Sequence, residues 1–325
     1  MDVSVIISAG RQNIGRLIES LEKQVFSGSF EIILVTHLDK ALFSRYKNIT
    51  LYTAERNNAS LKRNLGVKFS SGRVIAFIDD DAYAPKDWLQ KGYEFLLKND
   101  SAPGVGGVNL IAEGSNFRER LTDSVLNFPF FGSGNTSYSN SASACQKAHS
   151  GQIHFVNCFI LRDVFLSVGG INEAIGYGGE DTEFVYLVKH KLNQDIYFCQ
   201  NLSVFHSRRP FGLGYLRQRF LFRFKNGQLS LAYPGIYLRE PAFLGLLSVS
   251  FLIPFLVAVK PVYLLYLYLC FLMAVFSFGL LRRKELFYIL PFALTLHLGT
   301  YILGFLSGLA WGIVNLRNTL RLRRL

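Results

Sequence analysis

The first two hundred residues alternate between short apolar runs and amphipathic segments. The runs that predict strands are 3–8, 31–35, 74–78, 104–111, 153–161, 196–198 and 204–205. Apolar residues at helical spacing predict helices at 13–25, 58–70, 88–97, 117–126, 163–168 and 181–190. This alternation favours an α/β fold with a mixed, mainly parallel sheet. In such sheets, ligands bind at the carboxyl ends of the strands.

The pattern changes after residue 206. Between 210 and 230, aromatic residues interleave with arginines, which favours a helix lying in a membrane interface. The stretches 242–259, 262–281 and 286–314 are each apolar and roughly long enough to cross a bilayer. We therefore predict three regions: a catalytic domain at 1–206, a basic interfacial segment at 207–240, and a transmembrane region at 241–325.

The sequence allows two membrane topologies for the third apolar stretch, 286–314. With a cytosolic N-terminal domain, the basic cluster at 282–284 is cytosolic, as the positive-inside rule requires. A third crossing would then place the basic tail outside. The alternative is that 286–314 turns back as a broken hairpin at Pro291 or Gly299.

Three glycines in this stretch recur at every fourth position, at Gly304, Gly308 and Gly312. Small residues at this spacing let two helices approach closely. The glycines favour either packing within the chain or a homo-oligomer formed through this face.

Charge is distributed unevenly. The formal net charge is +12, and residues 206–325 contain 15 Lys/Arg and two Asp/Glu. Positive charge beside apolar spans is typical of contact with a membrane surface, and the first domain carries no basic stripe for nucleic acid. We therefore expect a membrane partner and no nucleic-acid partner.

Cysteine usage indicates a reducing compartment. The four cysteines show no Cys-x-x-Cys spacing and are predicted to be reduced core residues: Cys145, Cys158, Cys199 and Cys270. The N-terminus shows no signal peptide. We expect a multi-pass protein of the cell membrane with its catalytic domain in the cytoplasm.

The chemistry is concentrated where a buried strand ends in Asp79-Asp80-Asp81. Adjacent carboxylates repel one another unless a cation neutralises them. Asp79 and Asp81 can turn towards one Mg²⁺ or Mn²⁺, which would also neutralise a departing diphosphate. The alternative is a solvated acidic loop.

A second acidic cluster follows two glycines, at Glu180-Asp181. Asp181 is either a general base that deprotonates an acceptor hydroxyl or a cap of the helix that begins there. His206 ends a strand and is either a third metal ligand or structural. Lys62 and Arg63 either contact a nucleotide or lie on a solvated helix face.

These stretches, in this order, resemble family 2 glycosyltransferases of the GT-A (nucleotide-diphospho-sugar transferase) fold. The residues that carry the resemblance are Val3–Ile7, Glu31–Val35, Lys62–Gly66, Phe77–Asp81, Val168–Glu173 and Gly179–Glu183. The layout is also similar to that of membrane-anchored members such as succinoglycan glucosyltransferases. Two loops depart from the family pattern, since Ser8–Arg11 and Thr36–Asp39 replace its usual nucleotide-binding sequences.

The resemblance implies a role for each candidate residue. Asp181 would be the catalytic base, and Asp79, Asp81 and His206 would hold the metal. The expected donor-binding residues are Ser8, Asp39, Lys62, Arg63, Asp79 and Asp80. The expected contacts to the acceptor or its phosphate are Glu180, Arg208, Arg209, Arg219 and Arg223.

The predicted function is transfer of a sugar from a UDP- or GDP-linked donor to a polyprenyl-linked glycan, with inversion. A processive polysaccharide synthase is one alternative, although the Gln-x-x-Arg-Trp motif of such enzymes is absent. A non-catalytic membrane scaffold is another, because the base-binding loop is altered. A nucleotidyltransferase would leave Glu180 and Asp181 without a role.

Overall fold

The structure is a computed structural model, and it describes most of the chain. The described residues are 1–128, 145–148, 151–176, 178–237, 268–269, 271–273, 275–277, 286 and 288–323. They form two compact units. The first contains Met1–Gly114 and Thr136–Ser207, and the second contains Ser115–Asn135 and Arg208–Arg324. The predicted span 242–259 lies outside the described residues, and so does most of the predicted span 262–281.

A nine-stranded mixed sheet forms the centre of the first unit. Its strands are β1 Val3–Ala9, β2 Phe30–Thr36, β3 Thr50–Thr53, β4 Val74–Asp79, β5 Ala82–Tyr83, β6 Gly104–Ile111, β7 Cys145–Lys147, β8 Asn157–Leu161 and β9 Tyr197–His206. The order is β3-β2-β1-β4-β8-β6-β9-β5, and β7 pairs with β9. The first four strands in this order are parallel, whereas β8 is antiparallel to β4 and to β6.

Helices cover this sheet. They are α1 Gly15–Glu22, α2 Ala59–Lys68, α3 Trp88–Lys98, α5 Arg162–Val168 and α6 Glu180–Leu192, with a 3₁₀ helix at Lys40–Phe43. The core strands are buried because they are apolar on both faces; Val5, Ile7 and Ala76 are fully inaccessible. The α/β fold with a mixed, mainly parallel sheet predicted from the sequence is therefore confirmed.

Helix α2 lies directly against β1. Asn58 caps its N-terminus by accepting a hydrogen bond from the Leu61 backbone N–H at 3.0 Å. Gly66 allows the close approach, because a Cβ atom there would collide with Ile6. This packing turns Lys62 and Arg63 into the interior, where they are 2% and 6% exposed. The solvated-face alternative for these two residues is therefore excluded.

Two strand predictions need correction. The run 153–161 becomes a strand only at Asn157, and 196–198 and 204–205 belong to the single strand β9. Strand β9 shifts register beside Gly107 and Val108 of β6. The Asn157 amide donates to the carbonyl groups of Val108 and Leu202, both at 3.1 Å, and so stabilises this irregular pairing. A polar residue inside a strand therefore holds a register shift that no apolar pattern reveals.

The prediction of reduced cysteines is wrong for two of the four. Cys145 and Cys199 form a disulfide between β7 and β9, where they are paired in register. Cys158 is free and buried, as predicted. Cys270 lies outside the described residues. The prediction failed because proximity across a sheet between residues 54 positions apart cannot be inferred from their spacing.

The second unit is helical in its described part. Its helices are α4 Phe117–Leu126, α7 Leu213–Ala232, α8 Pro234–Tyr237, α9 Leu290–Val314 and α10 Leu316–Leu320. Helix α7 falls in the predicted interfacial segment. Among the described residues, α9 is the helix whose length and composition would allow it to cross a membrane, with 25 residues and a mean hydropathy of 1.5. Three membrane spans are therefore not confirmed.

The broken-hairpin alternative for 286–314 is wrong. Helix α9 is continuous: Pro291 lies in its first turn, where the missing N–H costs nothing, and Gly299 lies within it.

The face that carries Gly304, Gly308 and Gly312 packs against α7 of the same chain. A Cβ atom at Gly304 or Gly308 would collide with the carbonyl oxygen of Phe220 or Phe224. Packing within the chain is thus the alternative that the structure shows. An oligomer through these glycines is not supported.

Candidate active site

Strands β4 and β9 bring three candidate ligands together at one end of the sheet. Asp79 is the last residue of β4, Asp81 follows in the turn to β5, and His206 is the last residue of β9. Ala82 of β5 pairs with His206, and the Ser207 N–H donates to the Asp81 carbonyl at 3.0 Å. One ligand atom from each of Asp79, Asp81 and His206 lies within 4.8 Å of the other two.

Asp81 contacts both His206 and Arg11. His206 Nε2 lies 3.0 Å from its Oδ1, and the Arg11 guanidinium donates to its Oδ2 at 2.7 Å. Burial alone would raise the pKa of Asp81. The His206 charge and hydrogen bond, followed by the Arg11 charge, outweigh burial and lower the pKa to about 2. Asp81 is therefore ionised throughout the physiological range.

The donor set fits a divalent cation. Two carboxylates and one imidazole are ligands for Mn²⁺, and carboxylates are also the ligands that Mg²⁺ prefers. In the structure, Arg11 supplies positive charge beside Asp81 from a side chain that is 56% exposed. An exposed arginine can move aside for an ion at little cost, so Arg11 does not conflict with metal binding.

Asp80 points to the loop after β1. Its Oδ2 accepts the Gly10 N–H at 2.6 Å and the Arg11 N–H at 2.9 Å. Burial raises the pKa of this carboxyl above its usual value. The Lys62 ammonium donates to the Ala9 carbonyl at 2.8 Å, in the same loop. Asp80 and Lys62 therefore position the loop next to the acidic turn, and their contact with a donor stays a prediction.

Arg63 connects the two acidic clusters. Its guanidinium donates to Asp79 Oδ1 at 2.7 Å and to Glu180 Oε1 at 3.2 Å, and it lies over the ring of Phe155 at 5.1 Å. The Arg63 side chain is only 8% exposed. Burial disfavours its charge, but Asp79 and Glu180 outweigh burial and raise the pKa further. A permanent buried cation therefore holds the end of β4 next to the start of α6.

The start of α6 presents Asp181. Gly178 and Gly179 precede the helix with φ angles of 95° and 100°, a region that disfavours residues with a Cβ atom. The Asp181 carboxylate accepts the Thr182 N–H at 2.8 Å through one oxygen. Its other oxygen lies 2.9 Å from Nδ1 of His154. The two oxygens are thereby held in a fixed orientation.

Glu180 and Asp181 are neighbours with opposite protonation tendencies. Burial, followed by the charge of Asp181, raises the pKa of Glu180. Burial also opposes ionisation of Asp181, but the hydrogen bond and charge of His154 outweigh it and lower the pKa. Asp181 is therefore an ionised carboxylate with a hydrogen-bonded partner, which suits a proton acceptor.

Two other donor-binding candidates lie at neighbouring strand ends. Ser8 pairs in register with Asp79, and its hydroxyl is buried without a partner. Asp39 follows β2, is exposed, and accepts the Ala41 N–H at 2.9 Å as the cap of the 3₁₀ helix. This cap gives Asp39 a structural role. Donor contact by either residue stays a prediction.

The predicted acceptor contacts other than Glu180 lie in the second unit. Arg208 is buried and donates to Asp123 of α4 at 3.0 Å, with side chains that are 3% and 4% exposed. Arg209 is exposed and precedes α7, whereas Arg219 and Arg223 are half-buried within α7. Their contact with an acceptor stays a prediction.

Sequence reasoning missed three residues of the site: Arg11, His37 and His154. Arg11 and His154 contact the carboxylates of Asp81 and Asp181. His37 follows β2, and its Nδ1 is buried without a partner. Each is an isolated residue outside any periodic element, so no pattern indicated it. Their positions after β1, after β2 and before β8 were the available signal, because β1 and β8 lie on either side of β4 and β2 lies next to β1.

Comparison with known proteins finds a family match for one part of the chain. Residues 4–165 match the family described as Glycosyl transferase family 2. A glucosyl-dolichyl phosphate glucuronosyltransferase of Haloferax volcanii is 26% identical over 192 residues, which are 55% of this chain and 59% of that relative. Glycosyltransferase AglE of the same organism is 23% identical over 246 residues, which are 70% of this chain and 73% of the relative. The crystal structure of residues 1–349 of TarS from S. aureus aligns with a TM-score of 0.49 and 17% identity, covering 94% of this chain and 91% of that one.

The chain therefore carries a glycosyltransferase domain, placed by its α/β sheet and by the match to residues 4–165. That domain matches the model of glycosyltransferase family 2. The predicted family and enzyme class are confirmed at the level of this domain. The chain spans 59% of the length of the first relative, so the activity and substrates of the whole protein are matters for proposal.

Proposed function

We propose that this protein is an inverting, metal-dependent glycosyltransferase that moves one sugar from a nucleotide sugar to a membrane-associated acceptor. The observation that carries the proposal is the Arg63 bridge, which holds Asp79 at 2.7 Å and Glu180 at 3.2 Å from one guanidinium. Sugar transfer needs positive charge at the donor end of the active site, for the leaving diphosphate, and a base at the acceptor end. The bridge keeps residues suited to these two tasks in one site.

The donor end is formed by Asp79, Asp81 and His206. Mg²⁺ or Mn²⁺ held by these residues would supply positive charge for the diphosphate that departs from the sugar. Arg11, with its exposed side chain beside Asp81, is a further cation for the same phosphates. The donor is a UDP- or GDP-linked sugar, because such donors carry the diphosphate that this charge arrangement suits.

The acceptor end is formed by Asp181. Its carboxylate takes the proton of the acceptor hydroxyl as the hydroxyl oxygen forms a bond to the anomeric carbon of the sugar. The bond from that carbon to the diphosphate oxygen breaks in the same step, and the electron pair leaves with the nucleoside diphosphate. A single displacement of this kind inverts the anomeric centre. His154 keeps the Asp181 carboxylate oriented and ionised.

The acceptor is a polyprenyl-linked glycan. The apolar helix α9 and the excess of basic residues after 206 support a membrane location. The relative from Haloferax volcanii is named for a dolichyl phosphate glycan, which is consistent with this class of acceptor.

The test replaces the base and keeps the donor site. Asp181→Asn in the full chain should abolish transfer from a panel of nucleotide sugars to membrane lipids, while the affinity for the donor stays nearly unchanged. Asp163→Asn is the matched control, because Asp163 is an exposed aspartate in the first turn of α5. Loss of donor binding together with transfer in Asp181→Asn would instead indicate a structural role for Asp181.

The same assay separates the alternatives. A single added sugar supports the proposal, whereas a ladder of products would indicate a processive synthase. No metal-dependent release of UDP or GDP from any donor would indicate a non-catalytic scaffold.

A further inference from the structure

Two arginines of α7 lie against aromatic rings in the second unit. The guanidinium carbon of Arg223 lies 3.7 Å from the centroid of the Tyr301 ring of α9. The Arg219 guanidinium lies 5.4 Å from the Tyr215 ring and 5.1 Å from the Phe222 ring. Stacking on a ring occupies the face of a guanidinium and leaves its N–H groups at the edge available.

A buried histidine of α9 lies next to the same rings. His297 is 1% exposed, its ring stacks on Tyr215 with centroids 5.9 Å apart, and its Nδ1 lies 2.9 Å from the Tyr215 hydroxyl. Its Nε2 is buried without a hydrogen-bond partner, and so is Nε of Arg219. A buried polar atom without a partner is costly, so these two atoms indicate a missing group.

The missing group is negatively charged. Within the described part of the second unit the carboxylates are those of Glu119 and Asp123. Asp123 pairs with Arg208 at 3.0 Å, and Glu119 closes the capping box of α4 with Asn116. Neither arginine on the aromatic rings has an ion pair in the described structure. Two half-buried cations without a counter-ion favour an anion with several acceptor oxygens.

The surroundings indicate that this anion is attached to a lipid. Helix α9 is apolar enough to cross a membrane. It also exposes large apolar side chains that suit hydrocarbon chains: Leu303 at 62%, Leu306 at 47% and Ile313 at 59%. A free phosphate would have to lose its hydration at an apolar helix pair without any compensating apolar contact.

We propose that Arg219, Arg223 and His297 bind the phosphate or diphosphate group of a long-chain lipid. The arginines supply charge-assisted hydrogen bonds, and Nε2 of His297 donates a further one when the Tyr215 hydroxyl donates to Nδ1. The exposed apolar residues of α9 contact the chain of the lipid. This binding does not depend on catalysis; only the identification of the lipid as the acceptor rests on the proposed function.

The test measures binding of short prenyl probes to the full chain in detergent by calorimetry. Four probes separate the sources of affinity: farnesyl monophosphate, farnesyl diphosphate, inorganic pyrophosphate and farnesol. We expect the farnesyl phosphates to bind at least about ten-fold more tightly than the other two probes. Pyrophosphate binding as tightly as farnesyl diphosphate would overturn the lipid assignment, and farnesol binding as tightly would overturn the phosphate assignment.

Variants locate the site. Arg219→Gln and Arg223→Gln should each weaken farnesyl phosphate binding by about ten-fold or more, because each removes a charged donor. Arg217→Gln is the matched control: it removes the same charge from an exposed position of α7 and should change affinity less than about two-fold. Equal weakening by all three would show general electrostatic attraction and overturn the site.

Two further measurements keep the outcome interpretable. Arg223→Lys retains the charge but loses the planar group on Tyr301, so it should bind more weakly than the wild type and more tightly than Arg223→Gln. If the Gln variants do not fold, Arg223→Lys becomes the test of the site, and an affinity for farnesyl phosphates equal to that of the wild type overturns the proposal. Asp181→Asn should bind the probes normally. Retained transfer in this variant would count against the proposed function without affecting this site, whereas lost transfer with intact probe binding is the result that both proposals expect.

Discussion

The Arg63 bridge makes a quantitative prediction about stability. Arg63→Met keeps most of the apolar stem of the side chain and removes the charge that Asp79 and Glu180 share. Glu180 is 7% exposed, so its carboxylate would remain in the interior without a cationic partner, with the Gly178 N–H still donating to it at 2.8 Å. Removing one partner of a buried ion pair costs about 3–5 kcal/mol, and we expect the lower end because the Asp79 side chain is 30% exposed.

A surface ion pair of the same unit provides the control. Arg56 donates to Glu173 at 3.3 Å, but its side chain is 58% exposed. Arg56→Met should therefore cost less than about 1 kcal/mol. The measurement is the free energy of unfolding of the full chain in detergent, by chemical denaturation. Equal stabilities of Arg63→Met and Arg56→Met would refute the role assigned to the bridge.

The pH dependence of the unfolding free energy of Arg63→Met is a second test of the same bridge. Burial already raises the pKa of Glu180, and Arg63 opposes that rise. Without Arg63 the pKa of Glu180 should rise further. When folding raises the pKa of a carboxyl, its ionisation at higher pH disfavours the folded state. This cost decreases as the pH is lowered and disappears when the carboxyl is protonated in both the folded and the unfolded state. The stability lost by Arg63→Met should therefore be partly recovered as the pH is lowered, whereas Arg56→Met should show no such recovery.

Three further changes test other parts of the structure. His154→Phe should lower kcat roughly ten- to hundred-fold with little change in the KM for the donor. Because the contact with His154 lowers the pKa of Asp181, the acid limb of the pH–rate profile should move to higher pH, and His154→Gln should restore part of the rate; an unchanged profile would contradict the positioning role. Asp81→Asn should cost about 2 kcal/mol at neutral pH, since folding lowers this pKa from 3.8 to about 2. That difference from the wild type should shrink as the pH falls towards 2, and thermal unfolding at several pH values checks it. Gly308→Ala should destabilise the protein by about 1–3 kcal/mol, because its methyl group would meet the backbone of α7. At Gly299 no described atom lies within 4 Å of a Cβ position, so Gly299→Ala should stabilise by up to about 1 kcal/mol, and a similar loss in both variants would refute close helix packing.

The parts of the fold that follow a repeating pattern could be predicted from the sequence. The parallel strands β1, β2 and β4 and the helices α1 and α2 were predicted because their apolar residues are arranged as each element requires. The acidic turn after β4 was predicted because the strand before it is uniformly apolar, so the change to three aspartates marks the strand end. Strands β3, β5 and β7 were not predicted, because segments of four, two and three residues are too short to show a period.

The contacts that join distant parts of the chain could not be predicted. The Cys145–Cys199 disulfide depends on β7 pairing with β9, and the His154–Asp181 contact and the register shift in β9 depend on the position of β8 in the sheet. Strand order is a property of the whole sheet, and no local window of sequence specifies it. The sequence did not decide whether Lys62 and Arg63 contact a nucleotide or lie on a solvated helix face. Burial of a basic side chain depends on its partners, and those lie far along the chain.

Because of the position of His206, affinity for a cation should depend on whether the last strand of the sheet has paired. Asp79 and Asp81 are placed by β4, but His206 reaches them only when β9, the final strand, has joined the sheet at β6 and β5. A fragment that stops before residue 206 would hold an acidic turn without its imidazole. Affinity for Mn²⁺, followed along a series of C-terminal truncations, should therefore rise abruptly at the length that includes His206.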